Sequence, residues 1–429
     1  MPLSPPLLAD HATADSVASD SATRGGASSS KPQPLLAGIR VLDLTNVLSG
    51  PFCAYQLAQL GAEVIKVEMP RTGDLARQLG ADDGLNRSLM GASFLAQNAG
   101  KKSITIDLKN VQGTAVLQRL ARTADVLVEN FRPGVMQRLG VGHETLMATN
   151  PALIYCAISG FGQDGPLKDA PAYDQIIQGM SGMMSITGDE HCAPLRVGFP
   201  VADTFGGITA AFAISAALVR RAKTGQGAFI DVSMLDSALT AMGWVVSNFL
   251  IGGQEPAPMG NDNFTAAPSG TFATGKGLIN IAANKQEQFD ALCRLLGRET
   301  LVDDPRFATR GARKQHRQAL TMLLEEALST KPAVEWEALL NANGIPAGRV
   351  LSVPEALRAP QVAHRQLIKT FGADNERRVS VTRAGFKVGG ADPDVSCAPP
   401  RLGQDTTAVL TDLGYSPEEI ERLRDCGAV

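Results

Sequence analysis

The chain has 429 residues, of which 44% are apolar and 19% charged, with a formal net charge of −3. That length supports a large core and more than one domain, and the near-neutral balance lacks the basic face that nucleic-acid binding requires. Six scattered cysteines without a CxxC pair and five histidines without HxxxH spacing offer no zinc framework and fit a reducing compartment, the cytoplasm.

Residues 1–34 are rich in Ala, Ser, Asp and Pro and have no apolar signal core. They read as a disordered tail rather than a targeting segment. The run Gly38-Ile-Arg-Val-Leu-Asp43 then predicts a first strand. Phe52 to Leu60 predicts a helix closed by Gly61, and Ala62 to Glu68 a second strand. Strand, helix and strand in about thirty residues make a βαβ unit and favour a parallel sheet. Asn46 to Pro51, in the first turn, is not GxGxxG, so the nicotinamide fingerprint is missing. Strands at 102–108, 124–129, 153–158 and 228–233 continue the alternation, with a helix over 111–122. An open α/β architecture follows.

Arg196 to Arg221 carries the most chemistry. A Pro-limited extended stretch reaches Asp203. Gly206 and Gly207 follow, then an apolar run, 208–219, too short for a bilayer. Asp203 is placed at or just before a helix start. There it is either an N-cap or a carboxylate that serves as a nucleophile, with the glycines admitting a second chain or ligand. A helix is expected over 234–251. A Gly/Pro-rich stretch runs from Gly252 to Asn261, and the linker is placed at 234–260. A smaller α+β domain spans 261–345, with helices at 284–296 and 313–328. Residues 346–429 are a second linker and a return to the large domain (35–233), irregular over 360–429 except for a helix capped by Ser416.

Gly38 to Asp43, Gly61 to Glu68, Gly73-Asp74, Val128-Glu-Asn-Phe-Arg-Pro-Gly134, Tyr173-Asp174-Gln175, Gly198 to Gly207 and Thr224 to Gly227 occur in this order. Together they resemble the class III CoA-transferase family, which includes formyl-CoA and carnitine CoA-transferases and acyl-CoA racemases. The resemblance implies a large Rossmann-like open-sheet domain plus a smaller α+β domain in an interlocked homodimer. Coenzyme A thioesters would be substrates, with no permanently bound cofactor, no metal, no nucleic acid and no membrane. It places the catalytic aspartate on Asp203 and a second site residue on Asp174. CoA contacts fall on Leu48, Ser49, Ile106, Asp107, Leu108, Lys109, Asn130, Phe131, Arg132, Arg138 and the segment Ala170, Pro171, Ala172 and Tyr173. A substrate loop falls on Gly260 and Asn261. Leu48 stands where formyl-CoA enzymes carry glutamine, and fewer glycines surround Gly260.

The reaction implied is transfer of CoA from an acyl-CoA donor, such as succinyl-CoA, to a carboxylic acid, through an aspartyl-CoA thioester. Arg196 is either a surface residue or a partner for an acceptor's distal carboxylate. Two alternatives are a 2-methylacyl-CoA racemase, disfavoured by Tyr173 where those enzymes place histidine, and a non-catalytic acyl-CoA-binding protein.

Overall fold

The computed structural model describes residues 33–372, 378–390 and 392–429. The expected tail over 1–34 lies outside these residues except for Gln33 and Pro34. β1 (Arg40–Asp43), β2 (Glu63–Glu68), β3 (Lys101–Thr105), β4 (Val126–Glu129), β5 (Ile154–Ser159) and β6 (Ala228–Ser233) form one parallel sheet. Their order is β3-β2-β1-β4-β5-β6, the doubly wound arrangement, with its switch between β1 and β4. β-branched strands with no polar alternation need cover on both faces, and β4 is buried throughout. α1 (Ser49–Gln59) covers one face and α2 (Val111–Ala121) the other.

After β5 comes the short helix α3 (Asp174–Met180), and then the 24-residue α4 (Val201–Thr224). α4 is twice the length of the apolar run read from sequence and is long and apolar enough to cross a membrane. Its stripe Ala202, Gly206, Ala210, Ile214 and Leu218 is buried in the layer shared with α1 and the sheet. The helix expected over 234–251 is two, α5 (Met234–Ala241) and α6 (Gly243–Gly252), bent by 75° at Met242. The stretch read as a linker therefore begins as packed helix.

The smaller domain is an antiparallel sheet of β7 (Ser269–Ala273), β8 (Leu278–Ala282) and β9 (Ala347–Arg349). α7 (Gln286–Leu295), α8 (Arg317–Leu328) and α9 (Ala333–Ala342) pack on it around Phe272, Phe289, Leu324 and Trp336. The expected helix over 313–328 is interrupted at His316. The final segment is more regular than its sequence implied. It holds a hairpin of β10 (Ile368–Phe371) and β11 (Val379–Thr382), then α10 (Thr406–Asp412) and α11 (Pro417–Asp425), the last capped by Ser416. This segment closes the large domain. Asp405 exchanges two hydrogen bonds with the Ser103 backbone, at 2.8 Å each, and the Asp107 N–H donates to Ala428 O at 2.8 Å.

Charges are buried beneath the carboxyl ends of β1–β3. Lys101 Nζ lies 2.8 Å from Asp43 Oδ2 and donates to Pro51 O at 2.9 Å. Lys66 Nζ lies 2.9 Å from Asp74 Oδ2 and donates to Thr45 O at 2.9 Å. Arg77 binds Glu68 through two nitrogens, at 2.6 and 2.8 Å. Burial opposes the Asp43 carboxylate's charge, but Lys101 and Lys66 outweigh it and hold its pKa well below the usual range. Removing one charge strands the others in a dry core. Asp43→Asn should therefore destabilise the protein by about 3–5 kcal/mol, the range for breaking a buried ion pair. Denaturant titration of both forms checks this, and a change within error would show that water reaches the cluster.

Candidate functional site

The buried charges shape the turn between β1 and α1. The Val47 N–H donates to Asp74 Oδ1 at 2.9 Å, while Asn130 bonds both the N–H and the C=O of Asn46. Val47 has φ +67°, a conformation a β-branched residue adopts only under constraint. This turn delivers the amino end of α1 to the switch point. The amides of Ser49 and Gly50 have no acceptor among the described residues, and the buried Ser49 hydroxyl has no partner.

α4 crosses α1 at this end. A Cβ on Gly206 would sit 2.9 Å from Ser49 Oγ, and one on Gly207 would sit 2.5 Å from Ser49 O. The two glycines thus admit helix α1, rather than a second chain or a ligand as the sequence implied. Their effect is to hold the first turn of α4, with Asp203, against the amino end of α1.

Asp203 is the third residue of α4, and Pro200 occupies the cap position without a side-chain bond. The N-cap reading is therefore corrected. The capping oxygen comes from Asp174, whose Oδ1 accepts the Ala202 N–H at 2.9 Å and the Asp203 N–H at 3.4 Å. Asp174 is buried; its Oδ2 accepts from Gln178 Nε2 at 2.7 Å and lies 3.9 Å from Arg196 Nε. The Asp203 carboxylate is left without a hydrogen-bond donor among the described residues. Burial first, and the Asp174 charge second, push its pKa up to about 7. A helix amino end favours an anion, but Asp174 already occupies those amides, so the Asp203 carboxyl is held well above the usual carboxylate range.

A cavity of about 230 Å³ opens where β1–β4 end, lined by residues that include Ile106, Leu108, Lys109 and Phe131. An open α/β sheet binds ligands at this place. Arg132 and Arg138 lie exposed just beyond Phe131, on the loop and single helical turn that follow β4. Asn130 braces the β1 turn, and Leu48 accepts the Phe52 N–H as the first residue before α1. Asp107 bonds the Lys109 amide and the final segment, away from the cavity lining. Ala170, Pro171, Ala172 and Tyr173 lead into α3, with the Tyr173 side chain exposed. Gly260 and Asn261 line a different cavity, of about 890 Å³, between α6 and the small sheet. They reach the aspartates only indirectly, because the Gly260 N–H donates to Gly188 O at 2.7 Å, on the segment that runs to Arg196. His191, the histidine nearest Asp203 in sequence, is exposed beside Glu190.

The sequence reading missed Gln178. This fully buried side chain bonds Asp174, the Val197 N–H at 2.9 Å and Phe199 O at 3.3 Å. The signal was there, since Asp and Gln four apart on a helix face each other.

Residues 36–406 match the model of CoA-transferase family III, and the chain belongs to that family. It is 38% identical over 400 residues to the succinate–glutarate CoA-transferase of Agrobacterium fabrum, covering 91% of this chain and 97% of that one. It is 40% identical over 389 residues to the acetyl-CoA:oxalate CoA-transferase of Acetobacter aceti, covering 90% and 98%. The crystal structure of a CAIB/BAIF family protein from Brucella suis superimposes with a TM-score of 0.78 at 35% identity, over 88% of this chain and 99% of that one.

Because Asp203 titrates near neutrality in the free protein, kcat/KM for an acyl-CoA donor should rise with pH through about 7 as the carboxylate ionises. Asp174→Asn keeps an oxygen for the α4 amides and removes the repelling charge, so the rising limb should move to lower pH. A pH–rate series on both proteins measures this. An unmoved limb would mean that another group sets it.

Proposed function

We propose that the protein transfers CoA from succinyl-CoA to a dicarboxylic acid, with Asp203 as the covalent nucleophile. Its carboxylate attacks the thioester carbonyl, giving an acyl-aspartyl anhydride and CoA thiolate. The thiolate attacks the aspartyl carbonyl, releasing the donor acid as carboxylate and leaving an aspartyl-CoA thioester. The acceptor carboxylate attacks that thioester, and the thiolate returns to the acceptor's carbonyl, freeing Asp203. Each step exchanges activated acyl species of similar energy. The carrying observation is a carboxylate with no donor among the described residues, one helical turn before the glycines that pack on Ser49, where the free amides of Ser49 and Gly50 would suit a developing oxyanion. CoA would lie along the switch-point cavity, its phosphates near Lys109, Arg132 and Arg138. Succinyl and dicarboxylate substrates are inferred from the relatives named for them. The racemase alternative is less favoured because the histidine of a His-Asp pair has no counterpart beside Asp174: Tyr173 precedes it, and His191 lies exposed beside Glu190.

Asp203→Asn keeps the shape and removes the nucleophile, so transfer should fall by three orders of magnitude or more, on the order of the loss seen when other covalent nucleophiles are removed. Hydroxylamine added during turnover should convert the aspartyl intermediate to a hydroxamate on the Asp203 peptide, read by mass spectrometry. Label on Asp174 instead would reverse the two roles.

We also infer a homodimer, acting in the cytoplasm on CoA thioesters without a bound metal or nicotinamide. Phe212 on α4 and Trp244, Leu250 and Ile251 on α6 are 73–88% exposed, an apolar surface of the kind that association covers. Light scattering should give twice the chain mass, and Phe212→Glu with Ile251→Asp should shift it toward the monomer. A wild-type monomer at micromolar concentration would rule the dimer out.

A further inference from the structure

We propose that Arg196 determines acid specificity by binding the distal carboxylate of a dicarboxylate substrate. This rests on the transferase reading of Asp203 and adds the residue that would make a diacid preferred.

Three observations carry it. The first is that the backbone on both sides of Arg196 is pinned. The Leu195 N–H donates to Met184 O and Thr187 O at 3.3 and 3.2 Å, and the Val197 N–H donates to the buried Gln178 Oε1 at 2.9 Å. The residue is thus held in place by the same glutamine that orients Asp174.

The second is that its side chain is unsatisfied. The guanidinium is 45% exposed, and its one ion pair among the described residues, Nε to Asp174 Oδ2 at 3.9 Å, is too long for a hydrogen bond. A planar fork of five donors is left with its geometry unused, and that fork matches a carboxylate. An arginine that served only to neutralise Asp174 would close on it, as Arg77 closes on Glu68 at 2.6 and 2.8 Å.

The third is electrostatic. Asp174 and Asp203 are both acids, and Arg196 is the one cation paired with either among the described residues. A diacid must bring one carboxylate to Asp203 while a second stays near Asp174, where repulsion would expel it unless a cation stood there. Arg196 and the Asp203 backbone approach opposite oxygens of the same Asp174 carboxylate. Both therefore border Asp174, and a short diacid such as succinate or glutarate is the class that would span them. In a double-displacement enzyme the donor's acyl group and the acceptor occupy one acid site in turn, so the same guanidinium would serve succinyl-CoA and glutarate.

The experiment compares glutarate with valerate, the monoacid of equal chain length, as acceptors at saturating succinyl-CoA. Wild type and Arg196→Gln are both followed, and thermal melting monitors folding. Arg196→Gln should lower kcat/KM for glutarate roughly 10- to 100-fold, the loss expected for charge-assisted hydrogen bonds, mainly through KM. The fall for valerate, which lacks the second carboxylate, should be much smaller, so that the preference between the two acids collapses. Arg196→Lys keeps the charge without the fork and should recover part of the loss. An equal fall for both acids would make Arg196 a support for the segment and overturn the proposal, as would an unchanged glutarate KM. Failure of the transferase reading looks different: the wild type would then transfer CoA to neither acid.

Discussion

Asp174 caps a helix that it does not belong to, and the candidate site depends on this contact. The first amides of α4 can take one carboxylate, and the fold gives them Asp174. Had Asp203 turned back onto those amides, as an N-terminal aspartate commonly does, it would be a stable anion with low nucleophilicity. With the cap supplied from α3, the Asp203 carboxylate is left largely buried, without a donor among the described residues and repelled by its neighbour. A carboxyl group perturbed in this way is the feature on which the proposed role of Asp203 rests.

The other wall of the site is held by charge rather than packing. Lys66 and Lys101 reach the carbonyls of Thr45 and Pro51, on either side of the strained Val47, while Asp74 takes the Val47 amide. A hydrophobic core would hold this turn loosely, because dispersion is non-directional. Ammonium and carboxylate groups in a dry interior fix it to specific atoms, and the strain at Val47 is retained because its surroundings are over-determined. The free amides of Ser49 and Gly50 are thus presented at the end of a rigid mount.

Much of this was legible in the chain. β-branched runs ending in acids located the strands, and their alternation with helices implied the parallel sheet. Asp203 stood out by its setting. Its cap did not, because the capping residue lies 29 positions earlier and no local pattern links them. The glycines at 206 and 207 were legible as a close approach, but not what approached. Lys66, between Ile65 and Val67 in β2, was not singled out from sequence, and its partners Asp43 and Asp74 are brought together only by the fold. The break at Met242 carried no proline to announce it. Local chemistry was readable from sequence, and long-range pairing was not.

The return of the final segment to β3 has a consequence for how the protein is made. Ser103 and Asp405, which bond along the free side of that edge strand, are 302 residues apart. A ribosome adding about 5–20 residues per second would need roughly 15–60 s between them. Throughout that interval the nascent sheet presents an unpaired edge of the kind that recruits other strands. The smaller domain, with its own core, has time to form before the larger one is sealed. Chains released early by truncation would carry a nearly complete large domain with an open seam, a good substrate for chaperones and proteases.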